Sequence, residues 1–184
     1  MTTTLSKKSG KGLSHGVSSE LSTFFTIRPG HEEQLREAIL RFKANAQPGD
    51  TSVFEKVGLR TQRHVIFDNG TRVMWCTSFD TDWDPYIDDA IEIFGAANWV
   101  DWMQHTVEYS SGMETGSNAE LKQFLQSAQE QATAFFDAFP NHTLSQIKKA
   151  LLLSQAFERV LDDPAAAQAL QHPALRPLFE HAAD

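Results

Sequence analysis

Residues 59–79 read LRTQRHVIFDNGTRVMWCTSF. Two runs rich in β-branched and aromatic residues flank Asp68-Asn69-Gly70, residue types that accept positive φ. The stretch therefore predicts a β-hairpin, with strands at Leu59–Phe67 and Arg72–Phe79. Alternation along the first strand puts Arg60, Gln62 and His64 on one face, and Thr61, Arg63 and Val65 on the other. Polar side chains in mid-sheet are costly when buried alone. One face of this strand thus either meets solvent or lines a polar pocket, in which Arg63 is a candidate anchor for a carboxylate.

Upstream, Leu21–Arg28 (LSTFFTIR) predicts another strand, ended by Pro29-Gly30. His31–Asn45 follows with Leu35, Ala38, Ile39 and Phe42 at helical spacing. Downstream, Asp84-Pro85 resembles a helix start, and Ile87, Ala90, Ile91 and Phe94 mark the apolar face of a helix closed near Gly95. Asn98–Gln104 is aromatic and reads as neither helix nor strand, whereas Thr106–Ser110 predicts a short fourth strand. The order β-α-β-β-α-β over residues 20–112 is that of a ferredoxin-like antiparallel sheet, an α+β architecture. Phe24 and Phe25 point to opposite faces, as do Met74 and Trp75. The face not covered by helices therefore needs a partner, either a second copy (a homodimer) or the chain's own C-terminal part.

Residues 1–19, with Lys7, Lys8 and Lys11 among Ser, Thr and Gly, predict a disordered tail. Gln47–Asp50 reads as a loop and Ser110–Ser117 as a linker. Beyond it, residues 118–184 predict a helical extension packed on the sheet domain. Its first helix carries apolar positions from Leu121 to Phe139, Thr143 and Gln146 suggest a capping box for a second, and short helices start at Asp163-Pro164.

The chain has 184 residues and a net charge of −8, which disfavours nucleic acid as a partner. Its one cysteine, Cys76, allows no intrachain disulfide and suits a reducing, cytoplasmic setting. No apolar run is long enough for a membrane span. Asp80-Thr81-Asp82-Trp83-Asp84 imitates the start of a calcium loop. Pro85 then stands at its sixth position and Ile91 at its twelfth, where glycine and glutamate are needed, so no metal site is expected. Among seven histidines, His64 lies on a strand and His105 just before one, and both are candidates to face the open side of the sheet. Cys76, flanked by Trp75 and Thr77, reads as a small buried hydrophobe.

Arg63–Asp89, with its F-D-x-x-W-x-x-Y-x-D-D pattern from Phe79 to Asp89, resembles a module of dimeric α+β-barrel proteins, poorly characterised bacterial members of which occur near peroxidases or oxygenases. Trp99–Gly112 (WVDWMQHTVEYSSG) and Phe135–Arg159 are similar to its later segments, while Thr106 departs from the cysteine common at that place. The resemblance implies a ferredoxin-like fold. It also implies a pocket in which His105 is a haem ligand or general base, Arg63 an anion anchor, and Trp99 and Trp102 the lining. Two functions stand side by side. One is an oxidative enzyme, haem-binding or cofactor-free, acting through His105 and Arg63. The other is a non-catalytic domain that binds a small-molecule ligand or assembles through its open sheet face.

Overall fold

The computed structural model describes residues 12–46, 52–109 and 117–182. The lysines of the expected tail, the loop Gln47–Asp50 and all of the expected linker but Ser117 lie outside them. The chain divides into two units, residues 1–143 and 144–184.

The first unit is a mixed α+β structure around an antiparallel sheet of five strands. Its elements are β1 (Ser14–His15), β2 (Ser18–Thr26), α1 (Glu32–Ala46), α2 (Ser52–Lys56), β3 (Leu59–Phe67), β4 (Arg72–Phe79), α3 (Trp83–Phe94), α4 (Ala96–Met103), α5 (Asn118–Ser127) and β5 (Gln129–Glu130). The strands run in the order β1-β2-β4-β3, and β5 also pairs with β2. The hairpin forms where the sequence places it. Asp68 and Asn69 both take φ 54° and Gly70 φ 81°, and the Gly70 and Thr71 N–H groups donate to the Phe67 and Asp68 carbonyls. Pairing resumes at Phe67–Arg72, so four residues turn the chain.

One face of the sheet carries Leu21, Phe25, Val73, Trp75 and Phe79, all buried. The apolar sides of α1, α3, α4 and α5 close over it. Trp75, Trp99 and Trp102 are fully buried, and the Trp75 and Trp99 rings meet edge to face at 5.1 Å. Residues 98–104, ambiguous in sequence, are thus mostly helical, and α4 turns both of its tryptophans inward. The opposite face holds four cross-strand rows, Glu20–Ser78–Thr61, Ser22–Cys76–Arg63, Phe24–Met74–Val65 and Thr26–Arg72–Phe67. Arg72 lies over the Phe24 and Phe67 rings there. Cys76, expected to be buried, is half-buried on this face beside the Ser22 hydroxyl.

Three segments share the outer edge of β2. β1 folds back on its start through Gly16 (φ 64°), inside the stretch expected to be a disordered tail. β5 pairs at Ser22 and Thr23, and the Phe24 N–H donates to the Ala128 carbonyl. The expected fourth strand, Thr106–Ser110, is reduced to a bridge between Ile27 and Thr106. The Glu108 carboxylate accepts the Thr26 N–H at 3.0 Å, and Arg28 donates to the Thr106 and Tyr109 carbonyls. Side chains thus occupy groups that a longer ladder would use.

The helix expected from Leu121 to Phe139 stops at Ser127, whose hydroxyl donates back to the Phe124 carbonyl. The segment that follows crosses to the start of β3, where Asp137 meets Arg60, leaving Phe136 and Phe139 exposed. The second unit contains α6 (Leu144–Leu161), α7 (Ala167–Leu170) and α8 (Arg176–Ala182), joined by two 3-10 turns. Asp163 caps the first turn by accepting the Ala165 N–H, with Pro164 at the next position. Among the described residues, no helix is long and apolar enough to cross a membrane.

Candidate functional site

β3 ends the sheet, and α1 passes over its inner face. Between them lies a cavity of 610 Å³ lined by residues of α1, α2, α3 and β3. Phe42, Phe54 and Phe94 give it an aromatic wall. Their rings form a connected set, with Phe42–Phe94 at 5.8 Å and Phe54–Phe94 at 6.2 Å. Ile39, Ala46 and Leu59 extend the apolar lining. The polar lining comes from Lys43 on α1 and from Arg60, Thr61, Gln62, Arg63 and His64 on β3. The strand face bearing Gln62 and His64 therefore lies under the helices, against the expectation that His64 faces the open side. Val65 and Arg63 face outward instead.

His64 sits against Phe42 at 5.7 Å, Trp102 at 5.1 Å and Trp75 at 6.5 Å between ring centroids. Burial lowers its pKa from 6.5 to about 3, so the imidazole is neutral at neutral pH. Its Nε2 and the Gln62 Oε1 are buried and make no hydrogen bond among the described residues. The indole N–H groups of Trp75 and Trp102 are likewise unpaired.

Arg60 closes one end of the cavity. It donates to the Asp80 carboxylate at 2.5 Å, to the Asp137 carboxylate at 2.8 Å and to the His142 carbonyl. The three side chains are only 9%, 6% and 13% exposed, so this is a mostly buried network. Burial opposes ionisation of Asp137, but the Phe139 N–H, the Ser18 hydroxyl and Arg60 outweigh it and hold the carboxyl below its usual pKa. Lys43 and Arg63 are exposed and have no ion pair among the described residues.

The four residues singled out in sequence do not converge. Arg63 stands on the edge strand β3, where it borders the cavity. His105 lies beyond the opposite edge, next to the Ile27–Thr106 bridge, and does not line the cavity. Its Nδ1 is 3.0 Å from the Nδ1 of His31, so one ring donates and the other accepts. Its pKa is lowered by burial and by the charges of His31, Arg41 and Arg28, with Asp101 opposing. Trp99 and Trp102 are wholly inside the core, and the Trp99 N–H faces the Ala90 carbonyl at 3.4 Å. Haem held by these four residues does not fit this geometry, because two of them are packed in the core and the other two stand at opposite sheet edges.

Gln62 and His64 were visible in sequence as one polar strand face. Lys43, Phe54 and Phe94 were not assigned to a site: Lys43 and Phe94 look like ordinary helix residues, and Phe54 opens a stretch that reads as strand, until the fold brings α1, α2 and α3 to one strand. The chain matches no protein-family model, no curated protein and no solved structure.

Proposed function

We propose that this protein is a ferredoxin-like α+β domain that binds a small organic molecule in the cavity between α1 and β3. The observation that carries the proposal is the pair of buried polar atoms without a hydrogen bond among the described residues, Gln62 Oε1 and His64 Nε2, on residues that line a cavity with a wall of three phenylalanines. Leaving such atoms unsatisfied costs about 1–3 kcal/mol each. Aromatic lining with a few polar groups, at a volume of a few hundred Å³, is the common make-up of a ligand site. The ferredoxin-like assignment is supported by the crossover from β2 through α1 to β3, with β4 inserted between the two strands.

Oxidative chemistry through His105 and Arg63 has weaker support, since those residues stand at opposite edges of the sheet. It predicts a Soret band on haem addition that His105→Ala abolishes. We expect no such His105-dependent band.

Trp75, Trp99 and Trp102 cluster beside His64 and make tryptophan fluorescence a reporter of occupancy. Ala46 lines the cavity near the end of α1 and is half-buried, so Ala46→Phe fills the space without entering the core. A panel of aromatic probes should change the emission of the parent protein and leave Ala46→Phe, confirmed as folded by circular dichroism, unaffected. An equal response in both proteins would exclude the cavity as the site.

The open face, where Val65 is 40% exposed beside Phe24 and Met74, is proposed as the contact of a homodimer.

A further inference from the structure

The second unit has no core of its own. None of its described residues is buried, and α6 has no buried position in its 18 residues. A unit of this size, residues 144–184, usually needs a staple or a partner to stay folded. One side of α6 is covered by α8, where Phe157 meets Phe179 at 5.8 Å. The adjoining side carries Lys149, Leu153, Ala156, Val160 and Asp163, spaced 4-3-4-3. That spacing sets them in one seam along a helix. All are exposed, Leu153 at 67%, and Leu152 flanks the seam at 57%. Asp163 continues the seam past the end of α6 at Leu161, because the Asp162 and Asp163 N–H groups still donate to the Glu158 and Val160 carbonyls.

We infer that this seam is covered by a second copy of the chain, with α6 packed antiparallel on α6 of the partner subunit about a two-fold axis at Ala156. The order of residues along the seam carries the inference. In that arrangement Lys149 meets Asp163 of the partner subunit at both ends, and Leu153 meets Val160 of the partner subunit. The small side chain of Ala156 lets the two backbones approach at the centre. Neither Lys149 nor Asp163 has an ion pair among the described residues. A parallel pair would set Lys149 on Lys149 and Asp163 on Asp163, like charges at both ends. Antiparallel packing also opposes the two helix dipoles. From Lys149 to Asp163 the seam is about 21 Å long. Two faces of that length bury less than the roughly 1,200 Å² of a stable interface, so the pairing is weak and grows with protein concentration. It uses none of the residues of the open sheet face.

The test is disulfide trapping of the full chain at high protein concentration under mild oxidation, in a Cys76→Ser background. Ala156→Cys should give a disulfide-linked dimer about tenfold faster than Leu151→Cys, which is exposed on the opposite side of α6. Added to Ala156→Cys, Lys149→Asp and Asp163→Lys should each slow the trapping by about three- to tenfold. The two exchanges together should restore it, since opposite charges meet again. Asp163→Lys also removes the cap on the Ala165 N–H, and a lost cap cannot be rescued by a change at Lys149, so the double exchange is the deciding readout. Equal trapping from Ala156→Cys and Leu151→Cys, or trapping that stays slow in the double exchange, would overturn the antiparallel pair. So would the absence of a dimer from Ala156→Cys, whether the introduced thiol reacts freely with maleimide, as on an uncovered helix, or is shielded by a different occupant.

Discussion

His64 shows how placement changes the chemistry of a side chain. On a solvent face it would titrate near 6.5, but here burial holds its pKa at about 3. The unfolded chain therefore takes up this proton first as pH falls. The contribution of the neutral imidazole to stability is full above about pH 6.5 and is lost progressively towards pH 3. Urea unfolding should show a fall on the order of 4 kcal/mol over that range from this group, and the fall should be smaller in His64→Phe. Identical slopes in the two proteins would contradict the assignment. Arg60 is the second residue with a sharp expectation. Arg60→Ala leaves Asp80 and Asp137 largely buried without their cation, which should cost about 2–4 kcal/mol in the same measurement. Parity along residues 61–67 was legible and correct, whereas a register shift between Leu59 and Thr61 turns Leu59 inward against it. Which face was wet was not, because that depends on where α1 crosses the strand.

At the scale of elements, the central hairpin and the helix faces were readable from local pattern. Strands Leu59–Phe67 and Arg72–Phe79 occur as predicted, and the apolar positions of α1 and α3 face the core. The outer edge of β2 was not readable. Its partners are two two-residue strands and a single bridge, too short to show alternation. Apolar spacing also overextended α5, since Phe135 and Phe139 keep helical spacing in sequence but lie beyond the helix, Phe135 half-buried and Phe139 exposed. The β1 turn depends on Gly16, which takes φ 64° and lies so close to the Pro140 carbonyl that a Cβ would overlap it. Gly16→Ala should lower stability by about 1–3 kcal/mol through strain and the lost approach of Pro140. Amide exchange should then speed up at Val17, which donates to the Pro140 carbonyl, and an unchanged rate there would contradict this account.

For the whole molecule, the α+β class was legible in sequence, while the need for a cover over the second sheet face stays an expectation. Adjacent large residues on opposite faces are a local signal of that need, but the identity of the cover is not. If a second copy supplies it, Val65→Glu should shift sedimentation from dimer to monomer with the cavity intact. A parent protein that sediments as a monomer would remove the homodimer from the account. The candidate residues do not converge for the same reason: His105 and Arg63 stand at opposite edges of the sheet, a separation that no spacing in sequence records. The most direct test of the cavity as the functional site follows the histidine side-chain ¹⁵N signals by NMR during titration with an aromatic probe that quenches the tryptophan emission of the parent protein. The account predicts that His64 shifts while His31 and His105 stay in place. Movement of the His31 and His105 signals with His64 unchanged would contradict it.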